Sequence, residues 1–148
     1  MRLAHVLTLN AILALASGIA FAVYGPLMIA FYDIPEIPAG NALLYWNVAA
    51  FARMFGAGLF GFGILLWAVR GLPEEPQTPP GVLRGIVFAL LFANGMGLFV
   101  AITQQMSVWL SPAGWATAAV FAVLLLAYAY FLIAKPGNTQ VSSESSMR

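Results

Sequence analysis

The sequence predicts an all-α integral membrane protein, a four-helix bundle of up-down-up-down topology. Three observations predict it. Of 148 residues, 62% are hydrophobic and 7% charged, where a soluble domain carries about a quarter charged residues. The apolar residues fall into four long runs, and proline, glycine and polar residues interrupt them. A chain so short and apolar cannot cover its surface with polar groups, so its natural solvent is lipid. The expected layout is one membrane domain over 1–135, with helices at about 7–31, 42–70, 82–110 and 113–134. Residues 136–148, polar and poor in aromatics, read as a disordered cytoplasmic tail.

The first run follows Arg2 and His5 and continues to Phe31. Ala20-Phe21-Ala22 resembles a signal-peptidase site. Cleavage there would leave the apolar stretch Val23–Ala30 as a greasy new end, so the run is read as a spanning helix of about 20 residues or more. Pro26 is expected to bend it. The next stretch, Tyr32 to Asn41, holds two prolines, a Gly-Asn pair and the acids Asp33 and Glu36, and reads as a loop.

The second run contains Arg53 and a cluster of glycines. As one helix it would be about 42 Å long at 1.5 Å per residue, against a hydrocarbon core of about 30 Å. Tyr45, Trp46 and Asn47 therefore belong in the headgroup region, and the true span lies nearer Ala49 to Val69. Gly71 to Pro80 is a proline-rich connector. The third run ends at Ser111-Pro112, with Trp109 and Trp115 as an interfacial pair. The fourth stops at Lys135-Pro136-Gly137.

Basic residues set the expected orientation. Arg2, Arg70, Arg84, Lys135 and Arg148 all fall on one side of a four-span chain, and the other two loops hold no Lys or Arg. The positive-inside rule makes that side cytoplasmic, with both termini on it.

In lipid, helices associate through small residues and a few hydrogen bonds. Each run carries a matching stripe. The first has Asn10, Ala14, Gly18 and Ala22, joined by Ser17 and Gly25. The second has Arg53, Ala57 and Gly61, with Gly56 beside them. The third has Asn94, Ala101 and Gln105, with Gly97 and Gln104 adjacent. The fourth has Thr117, Phe121, Leu124 and Tyr128. Gly18, Gly56, Gly58, Gly61, Gly63 and Gly97 are the expected helix-packing positions. Gly56, Gly58, Gly61 and Gly63 cannot all point at one neighbour, so some are free to dock an outside helix. A second use of the same stripes is a polar ligand pocket with Asn10, Arg53, Asn94, Gln104 and Gln105 as its donors.

Arg53 is the sharpest single feature, because an arginine at mid-membrane costs about 2.5–3.5 kcal/mol on insertion scales. The span places it about one turn below the outer surface, from where its side chain can snorkel. It is expected either to clamp the loop through Asp33 or Glu36, by a bidentate guanidinium–carboxylate pair, or to meet an anion or headgroup.

Several function classes lose support. No basic patch exists to grip nucleic acid. With no cysteine there are no disulfides, thiolate metal sites or iron–sulfur clusters. The lone His5 cannot build a metal cluster by itself. No carboxylate lies within a span, as a proton-coupled transporter needs. No Ser, His and acid combination is placed for nucleophilic catalysis. No catalytic residue, metal or cofactor is therefore assigned, although a quinone, carotenoid or lipid could lie against Phe51, Phe55, Phe60, Phe62, Phe88, Phe92 and Phe99.

The stretch Ala52 to Arg70, ARMFGAGLFGFGILLWAVR, sets an arginine before a run of glycines, with Trp67 near its end. Asn94-Gly95 in the third run and Tyr128 and Tyr130 in the fourth accompany it. Together these resemble small bacterial four-helix membrane proteins, broadly DoxX-like. The resemblance runs the length of the chain and implies four spans and a bacterial origin; the expected location is an inner membrane. It assigns no catalytic residue, and this chain lacks any cysteine or membrane acid that would tie it to redox or transport branches.

The expected function is that of a small non-enzymatic membrane protein. It would be an accessory or scaffold subunit associating with other membrane helices or with copies of itself. The alternatives are a lipid- or quinone-binding protein, with or without enzymatic activity, using a pocket around Arg53, and an anion-permeable oligomer.

Overall fold

The computed structural model describes residues 2–33 and 42–134. It is an all-α four-helix bundle: α1 (Leu3–Phe31), α2 (Ala42–Val69), α3 (Pro80–Ser107) and α4 (Ala113–Ala134), with one 3₁₀ turn at Leu72–Glu74. No strand occurs among the described residues. All four helices are long and apolar enough to cross a membrane. The surface is apolar around the bundle: Phe51 is 73% exposed, Met106 77% and Ile133 79%. Such a surface suits lipid rather than water. Of the expected loop over 32–41, residues 34–41 lie outside the described residues, as does the expected tail over 136–148.

α1 starts four residues before the expected boundary, because Val6 and Leu7 belong to the core at that end of the bundle. It is not straight. Tyr24 departs from helical geometry (φ −110°, ψ 34°), two residues before Pro26. Pro26 has no N–H for the Ala22 carbonyl, and its ring crowds that carbonyl, so the helix bends here as the sequence suggests. α1 ends where Asp33 takes a left-handed conformation (φ 48°), which a short polar side chain tolerates better than most. The Tyr32 and Asp33 N–H groups close the last turn on Met28 O (3.1 Å) and Ala30 O (3.0 Å).

α3 begins at Pro80, two residues before the expected start, because proline is preorganised for a first helical position. It ends at Ser107 rather than near Leu110. Ser107 Oγ donates to Thr103 O at 2.6 Å, and the N–H groups of Val108 and Trp109 both converge on Gln104 O at 2.7 and 2.8 Å. Val108 keeps the helical step of four residues, whereas Trp109 reaches five residues back to the same carbonyl, which ends the ladder. Ser111 Oγ then accepts the Ala113 N–H at 3.2 Å, a cap for the start of α4.

α1 packs along α2, and α3 along α4. α1 meets α4 at far fewer places. Both hairpins close on glycines. A Cβ at Gly18 would lie 2.5 Å from the Phe60 nitrogen, and one at Gly63 would lie 2.8 Å from the Leu15 nitrogen. Gly56 sits against the backbone of Phe21, Ala22 and Gly18. In the other hairpin Gly97 lies under the Phe121 ring, where a Cβ would come within 2.5 Å of Cε1. All four helices contribute to one apolar cluster near the end bearing the N-terminus, including Leu7, Leu66, Leu90, Leu124, Tyr128 and Phe131.

The stripe expected on α1 is largely the one that packs: Asn10, Ala14, Gly18 and Gly25 are buried. On α2 the packed face is different. Ala49, Gly56, Gly63 and Leu66 are buried, whereas Arg53, Ala57 and Gly61 are exposed. The reason is the partner: α1 takes the glycines at 56 and 63, seven residues apart, which turns the 53–57–61 line outward.

Candidate functional site

The polar residues within the spans are few, and the two buried asparagines have different kinds of partner. Asn10 is 5% exposed, and its Nδ2 donates to the Tyr128 hydroxyl at 2.9 Å. That bond joins α1 to α4 next to the apolar cluster. Asn94 is 4% exposed, but its Nδ2 donates to Leu90 O of its own helix at 2.8 Å.

Gln105 lies toward the other end of α3. Its Nε2 donates to Trp109 O at 3.4 Å, a long bond. Its Oε1 is buried without a hydrogen-bond partner, against the space that a side chain at Gly114 would occupy. Gln104 is half-buried next to it, and its main-chain carbonyl is the acceptor that ends α3.

Arg53 lies on the exposed side of α2. Its stem runs over Gly25, where a Cβ would meet Arg53 Cγ at 3.1 Å and Nε at 3.7 Å. The glycine just past the Tyr24 break thus makes room for the arginine stem. Asp33 is exposed and forms no ion pair with Arg53; Glu36, the other expected clamp residue, lies outside the described residues.

The structure therefore distributes Asn10, Arg53, Asn94 and Gln105 over separate settings, and no hydrogen bond joins any two of them. Among the described residues no three His, Cys, Asp or Glu side chains gather as a metal site. Of the expected packing glycines, Gly18, Gly56, Gly63 and Gly97 have close neighbours. Gly58 and Gly61 face open space, with nothing within 4 Å of a Cβ built there.

A polar cluster that the sequence stripes do not reveal sits at the Trp109 end. The Tyr32 hydroxyl and Thr117 Oγ1 are 2.8 Å apart, the Tyr32 and Trp109 rings are 4.5 Å apart, and Ser111 N–H reaches Tyr32 O at 3.4 Å. This second tie between α1 and α4 starts from a tyrosine that reads as the first residue of a loop. Its only sequence signal is an aromatic at the end of an apolar run. Comparison of the chain with known protein families, with curated proteins and with solved structures returns no match.

Proposed function

We propose that the protein is a non-enzymatic integral membrane protein that acts by helix–helix association, as an accessory or scaffold subunit or as a homo-oligomer. The observation that carries this reading is the outward face of α2, where Gly58 and Gly61 have nothing within 4 Å. Ala50, Ala57 and Ala68 are exposed with them, and Ala57 and Gly61 form a small-xxx-small pair. Positions 50, 57, 61 and 68 repeat at helical spacing on one side. In lipid such a line gives another helix close backbone approach, which is the main source of association there. α1 already occupies the opposite side through Gly56 and Gly63.

The distribution of basic residues supports a membrane orientation with both termini in the cytoplasm. The resemblance of Ala52–Arg70 to small bacterial membrane proteins favours a bacterial inner membrane.

The test is native mass spectrometry after gentle extraction from the protein's own membrane, repeated with Gly61→Leu and Ala57→Leu. The wild type is expected in a fixed ratio with a partner or as a defined oligomer, and each variant as a folded monomer. A wild type that leaves the membrane as a monomer would overturn the association reading.

A further inference from the structure

At the end of the bundle where α3 begins, Gly81, Arg84, Gly85 and Phe88 of α3 and Leu132 of α4 line a shallow open groove. Glycine in a membrane helix usually lets a neighbour approach. Here neither glycine is used by the chain: a Cβ at Gly81 or Gly85 meets nothing within 4 Å.

The three arginines described at this end differ in their surroundings. Arg2 faces Glu74 at 3.9 Å. Arg70 lies over the Trp67 ring at 3.5 Å and donates to Trp67 O at 3.3 Å. Arg84 is exposed and has no ion pair or hydrogen bond among the described residues.

Depth orders the groove. Arg84 lies four positions after the first residue of α3, about 6 Å along the axis, and Phe88 lies about 6 Å deeper. The Arg84 cation at the mouth therefore gives way to an apolar wall further in. The amino end of α3 adds its own partial positive charge there. A polar anionic head at the mouth and a hydrocarbon chain on the wall is the layout of a phospholipid. A phosphate at headgroup depth is the direct complement of the exposed Arg84 charge, and that favours the lipid.

We propose that this groove binds one anionic phospholipid of the adjacent leaflet, its phosphate on Arg84 and an acyl chain along Phe88 and Leu132. The full-length protein, purified in mild detergent, is presented with equal amounts of phosphatidylglycerol and phosphatidylcholine, and retained lipid is counted by native mass spectrometry. Phosphatidylglycerol is expected to be retained in preference. Arg84→Gln should lower its retention about fivefold, the effect of one surface arginine on anionic lipid, with Arg84→Lys restoring much of it and Arg70→Gln leaving it unchanged. Gly85→Leu, which fills the groove, should remove both lipids. Equal retention of the two lipids by the wild type, or undiminished phosphatidylglycerol on a folded Arg84→Gln protein, would overturn the proposal. Arg84→Gln alters an exposed side chain, so it remains decisive if Gly85→Leu fails to fold.

Discussion

Asn10 Nδ2 lies 2.9 Å from the Tyr128 hydroxyl, a bond between residues 118 positions apart that fixes how the first helix faces the last. Both side chains are buried, Tyr128 completely, so neither can turn to water if the other is removed. Interhelical bonds of this kind contribute about 0.6 kcal/mol on average and up to about 1.7 kcal/mol. Asn10→Leu and Tyr128→Phe should each destabilise the protein by about 1 kcal/mol, and the double variant by less than the sum. Unfolding in mixed micelles, run as a double-mutant cycle, measures the coupling. Strict additivity would mean that the bond contributes nothing in the membrane.

The glycines of α2 should separate into two classes. Gly56 is pressed against the α1 backbone at Phe21 and Ala22, and backbone cannot move aside as a flexible side chain can. Gly56→Ala should cost about 1–3 kcal/mol through overpacking. Gly61→Ala meets open space and replaces a poor helix former by the best one, so it should leave the monomer as stable or slightly more so. Thermal denaturation of the two variants in the same detergent makes the comparison.

Gln105 should be replaceable. Its Oε1 is buried with no partner, and its other contact is the long bond to Trp109 O. Removing an unsatisfied polar group in favour of an apolar one of like shape is close to neutral or stabilising. Gln105→Met should therefore hold or raise the unfolding temperature, whereas Gln105→Glu, which brings a charge to the same place, should lower it clearly. A marked loss in the Met variant would show that the amide has a partner it needs.

Arg53 should matter first as a stem. Its Cγ and Nε run over Gly25, so a side chain of similar length without charge keeps the contact. Arg53→Met should stay near wild-type stability, and Arg53→Ala should lose about 1 kcal/mol of packing. Equal behaviour of the two variants in thermal unfolding would place the arginine's role in its charge instead.

The four spans were legible because lipid demands long uninterrupted apolar runs, and proline and glycine mark where they stop. Asn10 and Asn94 stood out for the same reason, as amides in hydrocarbon. The facing of α2 was harder. In a soluble helix a polar face marks the outside, but a lipid-facing surface is as apolar as the interior. Two small-residue lines, one through Gly56 and Gly63 and one through Ala57 and Gly61, then look alike in sequence, and only the fit to α1 separates them. The Tyr128 partner of Asn10 and the Tyr32–Thr117 tie depend on α1 lying beside α4, which no local pattern encodes. The resting place of the Arg53 stem depends on the break at Tyr24, which the sequence marks only through Pro26.

Each hairpin owns the close contact that holds it, Gly56 on α1 in one and Gly97 under Phe121 in the other. During synthesis, α1 and α2 can settle against each other before α3 has left the ribosome. The later half then needs only to dock, through Asn10–Tyr128 at one end and Tyr32–Thr117 at the other. The connector over residues 71–79 is thus the natural place to divide the gene. Two separately translated halves, each a two-span peptide, should find one another in the membrane and rebuild the whole.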